Sequence, residues 1–67
     1  MNRKNINSED NRGMTPLLCA CLSGNKHLVK YLVKYGAVIS KEDNNGLYPL
    51  FYATIEGYEE IIKCLME

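Results

Sequence analysis

A chain of 67 residues has room for one small domain, and 46% hydrophobic content is too apolar for a disordered segment. Eight basic side chains balance eight acidic ones, which argues against a nucleic-acid or anionic-membrane binder driven by bulk charge. A fold of this size buries only roughly 60% of the surface its unfolded chain exposes, so a disulfide, a metal or a partner is the usual supplement.

Met1 to Gly13 is polar and lacks the apolar centre of a signal peptide. Thr15 is placed to cap a helix with its hydroxyl, and Pro16 then takes the first helical position, where its missing N–H costs nothing. The pattern predicts a short helix over Pro16–Leu22, with Ala20 small where a second helix must come close. Its apolar run, Leu17 to Leu22, is far too short to span a membrane. Ser23-Gly24-Asn25 breaks the chain. A second helix is predicted from Lys26 to Tyr35, with Leu28, Val29, Leu32 and Val33 as its apolar stripe and Gly36 at its end. Ala37 to Gly46 reads as an extended connection ending in the turn Asp43-Asn44-Asn45-Gly46. The helical pattern restarts at Tyr48-Pro49-Leu50.

Cys19, Cys21 and Cys64 are an odd set without a C-x-x-C, and His27 is the only histidine. Neither a disulfide framework nor a tetrahedral zinc site fits. The reading is three reduced, mostly buried thiols in a soluble intracellular protein, cytoplasmic first, with the nucleus as the alternative.

The chain falls on itself when shifted by 33 residues. Asp10 meets Asp43, Asn11 meets Asn44, Gly13 meets Gly46, Pro16 meets Pro49, and Gly24 meets Gly57. Ile6, Glu9, Leu17, Ala20, Lys30 and Leu32 also meet identical residues. Gly and Pro fix backbone geometry, so their recurrence marks a repeat of structure and not of composition.

A unit carrying Asp10, Gly13, Thr15-Pro16-Leu17, Ala20, Gly24, Leu28-Val29, Leu32-Val33 and Gly36-Ala37 resembles the ankyrin repeat. Its second copy has Asp43, Gly46, Pro49-Leu50, Ala53, Gly57, Ile61-Ile62 and Leu65-Met66. The resemblance covers residues 5–67 and implies a mainly α, ankyrin-like solenoid of two helix–turn–helix repeats with a hairpin-like loop between them. Residues 1–9 would be the tail of a preceding repeat, 10–42 the first repeat, and 43–67 a second one lacking its closing residues. Leu18 and Phe51 replace the family's histidine after T-P-L, and Tyr48 replaces its threonine in the second unit. The first helix of that unit is therefore expected to start without a side-chain cap.

The resemblance implies a non-catalytic module that binds a protein partner on a concave face of loop tips and first helices, the alternative being a self-associating, head-to-tail-stacking fragment of a larger ankyrin array with no separate activity. The positions carried over are Asn11, Arg12, Met14, Leu22 and Ser23, then Asn44, Asn45, Leu47, Tyr48, Ile55 and Glu56. Met14, Leu47, Leu22 and Ile55 are apolar in both units although they lie outside the core stripe. That fits a contact surface, although Leu22 and Ile55 could equally be core between the units. Tyr48 and Tyr52 could add aromatic contacts there, although Tyr52 could equally pack between the units. No cofactor, metal, nucleic acid, membrane or small-molecule substrate is implied. His27 beside Lys26 and Lys30 reads as a surface histidine, and Glu56, Glu59 and Glu60 as a solvated acidic face.

Zero net charge hides an asymmetry. Residues 1–35 carry six basic groups (Arg3, Lys4, Arg12, Lys26, Lys30, Lys34) against two acidic ones; residues 36–67 carry two against six. The repeat sets Lys26 beside Glu59 and Lys34 beside Glu67. These read as weak ion pairs between units or, in the alternative reading, as guides for head-to-tail self-association. Neither end shows a polar cap, with Leu28, Val29 and Leu32 on one side and Ile61, Ile62, Leu65 and Met66 on the other expected to lack cover. Low stability in isolation follows.

Overall fold

The structure is a computed structural model and describes residues 5–67. Arg3 and Lys4, together with the start of the expected tail, lie outside the described residues. Four helices follow in order: α1 Pro16–Ser23, α2 Lys26–Lys34, α3 Pro49–Glu56 and α4 Glu59–Met66. The boundaries fall within a residue of the two helices predicted for the first unit.

Each helix start has a local cause. Thr15 is extended, and its Oγ1 accepts from the Leu18 N–H at 3.2 Å, while Pro16 opens α1. Tyr48 has nearly the same backbone angles but makes no side-chain cap bond. There the Phe51 N–H donates to the Tyr48 carbonyl at 2.9 Å, tightening the first turn of α3. The Asn25 side chain accepts from the Leu28 N–H and caps α2, a role not read from the chain break at 23–25. Tyr58 gives α4 no side-chain cap, but Glu59 and Glu60 in its first turn and Lys63 in its last suit the helix dipole.

The helices form two layers, with α1 against α3, α2 against α4, and each hairpin closed on itself. Leu17, Ala20, Cys21, Val29, Leu32, Ala37, Ala53, Ile61 and Leu65 make one core running through both hairpins. Ala20 and Ala53 are small and fully covered, which suits close approach between layers. Val29, Leu32, Ile61 and Leu65 are all buried, so the two units cover these residues themselves, against the expectation. Leu28 is 39% exposed although its counterpart Ile61 is 1% exposed, because the first unit covers Ile61 and Leu28 faces the other way. On the opposite side Leu50, Phe51 and Met66 are exposed, where their counterparts Leu17 and Leu18 are buried and Val33 is half-buried. Of the cysteines only Cys21 is buried; Cys64 is half-buried and Cys19 exposed, so the expectation of mostly buried thiols fails at Cys19.

Two hairpin loops are built alike. The Asp10 carboxylate accepts from the N–H groups of Arg12 and Met14, and the Asp43 carboxylate from those of Asn45 and Leu47. A backbone bond closes each loop, Asp10 N–H to the Met14 carbonyl and Asp43 N–H to the Leu47 carbonyl, both 3.0 Å. Asn44 locks the second loop onto the first: its N–H donates to the Arg12 carbonyl at 3.0 Å and its amide to the Asn11 carbonyl at 3.1 Å. Gly13 has φ +79° and lies so close to Asn44 that a Cβ would sit 2.5 Å from its Oδ1.

Ion pairing departs from the expectation. Lys41–Glu9 at 2.5 Å joins the segments that lead into the two loops, and Arg12–Asp10 at 3.6 Å is local. Lys26–Glu59 and Lys34–Glu67 are not among the ion pairs of the described residues. Lys26 and the Glu59–Glu60 pair instead line a cleft of about 200 Å³ beside Gly24 and Tyr58. Lys34 lies over the Tyr35 ring, 5.5 Å from its centre. Long exposed side chains gain little from being held in one pairing geometry.

Candidate functional site

The two loops and the two first helices line a groove. Arg12 and Met14 come from the first loop, Cys19, Leu22 and Ser23 from α1, Asp43 and Asn45 from the second loop, and Tyr52 from α3. Its volume is about 230 Å³. Five of the carried-over positions therefore meet: Arg12, Met14, Leu22, Ser23 and Asn45. Cys19, Asp43 and Tyr52 complete the lining; of these three only Tyr52 carries an expected contact, an aromatic one.

Leu22 is 47% exposed and Ile55 64%, so neither is core between the units. Met14 and Leu47 are half-buried at matching loop positions, and Glu56 is exposed at the end of α3. Asn11 and Asn44 are exposed, but the Asn44 amide is engaged in joining the loops. Tyr48 is placed differently from the expectation. It lines a separate cavity with Ile39, Ser40, Glu42, Leu50 and Leu65 on the outer face of the second hairpin, away from the groove. The reason is its position before Pro49, which directs it as Thr15 is directed in the first unit, toward where a neighbouring unit would lie.

At the groove floor the Tyr52 hydroxyl donates to Asp43 Oδ2 at 2.5 Å. This bond, followed by the Leu47 backbone N–H, holds the Asp43 carboxyl below the ordinary carboxylate range. The same bond pushes the Tyr52 phenol upward. Asp10 is also lowered, chiefly by the Met14 and Arg12 N–H groups. The groove thus has a fixed anionic and hydroxylic floor between apolar walls at Met14 and Leu22. The Asp43–Tyr52 pair was legible only in part, since the sequence shows the Asp as a turn residue and gives no sign of the ring reaching back to it. Burial, then the charge of Cys64, pushes the Cys21 thiol up to about 12, which keeps it protonated and unreactive. His27, Glu56, Glu59 and Glu60 are all exposed. Among the described residues no group of three or more His, Cys, Asp or Glu is placed to hold a metal ion. No helix among them is long and apolar enough to cross a membrane.

Stacked helix hairpins joined by extended loops, with a groove along the loops and first helices, define a repeat scaffold of the solenoid class. The family model for ankyrin repeats (3 copies) matches residues 1–67, and the chain belongs to the ankyrin-repeat family. Among solved structures it is similar to the crystal structure of EF0377, an ankyrin repeat protein, at 36% identity and a TM-score of 0.92. The match covers 97% of this chain and 35% of that one, so the chain spans about a third of that protein's length. No curated protein matches the chain. Ankyrin repeats are in general protein-interaction modules and are typically not enzymes.

Proposed function

We propose that this chain is a non-catalytic module that captures a protein partner in the groove between its loop tips and first helices. One observation carries the reading: Leu22 and Ile55 stand 47% and 64% exposed on the first-helix face, beside half-buried Met14 and Leu47. Met14 and Leu22 line the groove with Arg12, Ser23 and Asn45, the make-up of an interface centre with a polar rim, and Leu47, Ile55 and Glu56 hold the matching positions of the second unit. The stiff floor supports this, because loops already held by Asp10, Asp43 and Asn44 lose little freedom on binding. The setting we propose is intracellular, consistent with three free thiols.

The test is partner capture by the wild type and by Met14→Glu/Leu47→Glu, with helicity followed by circular dichroism. Loss of capture with helicity kept supports the groove. Equal capture by the charged variant refutes it.

A further inference from the structure

We propose that the two outer faces of this chain bind each other, so that a second copy stacks head to tail on the first with the geometry that joins the two internal units. The joint shares only the Asn45 carbonyl and Cys19 with the groove, and the inference does not rest on the partner reading above.

The loops carry the first observation. Inside the chain Asn44 donates its N–H to the Arg12 carbonyl and its amide to the Asn11 carbonyl, and it packs on Gly13. The 33-residue shift turns these into Asn45, Asn44 and Gly46 as the receiving set and Asn11 of the next copy as the donor. Asn11 is the identical residue. Among the described residues the Asn11 N–H and amide make no hydrogen bond, and the Asn44 and Asn45 carbonyls accept none. At Gly46 the approach filled at Gly13 is open, the only atom near a Cβ being Glu42 Oε1 at 3.9 Å. One end thus presents unused donors and the other unused acceptors, at equivalent places.

The helices carry the second. Thr15, Leu17 and Leu18 are 2%, 1% and 0% exposed beneath the second unit; Tyr48, Leu50 and Phe51 at the same repeat positions are 45%, 36% and 42% exposed. They border a cavity of about 450 Å³ completed by Ile39 and Leu65. The face that would cover them holds Pro16 where the internal joint uses Pro49, and Leu28 where it uses Ile61. Sizes compensate. The receiving face has Phe51 and Ile62 in place of Leu18 and Val29, and the incoming face has Cys19 and Asn25 in place of Tyr52 and Tyr58.

Charge is the third. Inside the chain Lys26 sits across a cleft from Glu59 and Glu60. Between copies Glu59 would stand where Lys26 stands and meet the next copy's Lys26 and His27. Opposite charges therefore face one cleft at both joints, without a direct ion pair at the internal one. One internal contact is lost: Glu42 would meet Ser8, where Glu9 meets Lys41. A joint between unlike faces does not close on itself, so the product is an open stack.

Analytical ultracentrifugation of the 67-residue chain over concentration and salt series tests this. The weight-average mass should climb past about twice the monomer without a plateau, and less so at high salt, which screens exposed charge. Leu28→Glu spoils the incoming face and Phe51→Glu the receiving face. Each alone should stay monomeric with wild-type helicity, and an equal mixture should give a dimer, since one good face of each kind remains. Tyr31→Glu, three residues on from Leu28 in α2 and so on the same side of the helix, at a 58% exposed site, is a second incoming-face variant should Leu28→Glu lose helicity. A wild type that is monomeric throughout overturns the proposal and leaves the faces to a further repeat or another protein. Association of Leu28→Glu alone overturns it in favour of a symmetric contact, and a monomeric mixture overturns it as well.

Discussion

The two first helices start from nearly identical backbones with different chemistry, which makes helix capping measurable inside one chain. Thr15 has φ −97° and ψ 166°, Tyr48 φ −105° and ψ 170°, and only Thr15 bonds the third N–H of its helix. Thr15→Ala removes that bond. The Leu18 N–H would then do as Phe51 does and donate to the preceding carbonyl, so the loss should sit near the typical ~1 kcal/mol for a cap and not at the top of the range. Unfolding entropy of about 2.1 cal/mol/K per residue amounts to roughly 0.14 kcal/mol/K for this chain length, so the midpoint should fall by about 7 °C. Tyr48→Thr makes the opposite change on a prepared backbone. It gives up part of a half-exposed ring and should raise the midpoint by about 3–7 °C. The assay is thermal unfolding followed by far-ultraviolet circular dichroism, at a dilution where association adds nothing to stability. The wild type itself should melt below about 60 °C, as suits a marginal two-unit stack. An unchanged midpoint for Thr15→Ala, or a lower one for Tyr48→Thr, would mean that the side-chain cap does not stabilise these helix starts.

Three further outcomes are expected. Leu18→Ala should cost about 2–5 kcal/mol in chemical denaturation, whereas Phe51→Ala, at the same repeat position but 42% exposed, should cost well under half as much; equal costs would contradict the asymmetry of the two faces. Asp10 and Asp43 have folded pKa values below the ordinary 3.8, so the unfolded chain binds more protons, and their stabilisation is complete above that value and lost as pH falls through the folded values. Tyr52→Phe removes the largest cause at Asp43 and should move the acid-unfolding midpoint to higher pH; an unmoved midpoint would deny the bond its role. Alkylation at neutral pH should label exposed Cys19 first, Cys64 more slowly and Cys21 only on unfolding; early labelling of Cys21 would contradict its burial.

The repeat made the helix order and both hairpin loops legible in the sequence, because Gly, Pro and Asp recur at the positions that set backbone geometry. Capping at Thr15 and its lack at Tyr48 followed from residue type alone. Which side of each helix is covered was less legible. Leu28 and Ile61 look alike in sequence, and only the stacking direction separates 39% from 1% exposure. Tyr48 differs from the expected aromatic contact for the same reason: its residue type suits a contact surface, but only the stacking direction sets it beside Ile39 and Leu65 instead of the groove. The Asp43–Tyr52 bond spans nine residues between loop and helix, a reach that no spacing rule encodes. Charge pairing was over-read, since Lys26 and Glu59 are close in register yet remain solvated.

The central claim is that the groove side of the stack, and not its ends, holds the protein partner. Its most direct test is capture of one partner by three forms side by side: wild type, Met14→Glu/Leu47→Glu and the end-face variant Phe51→Glu. The groove variant should lose the partner while the wild type and Phe51→Glu retain it. Retention by the groove variant with loss by Phe51→Glu would contradict it.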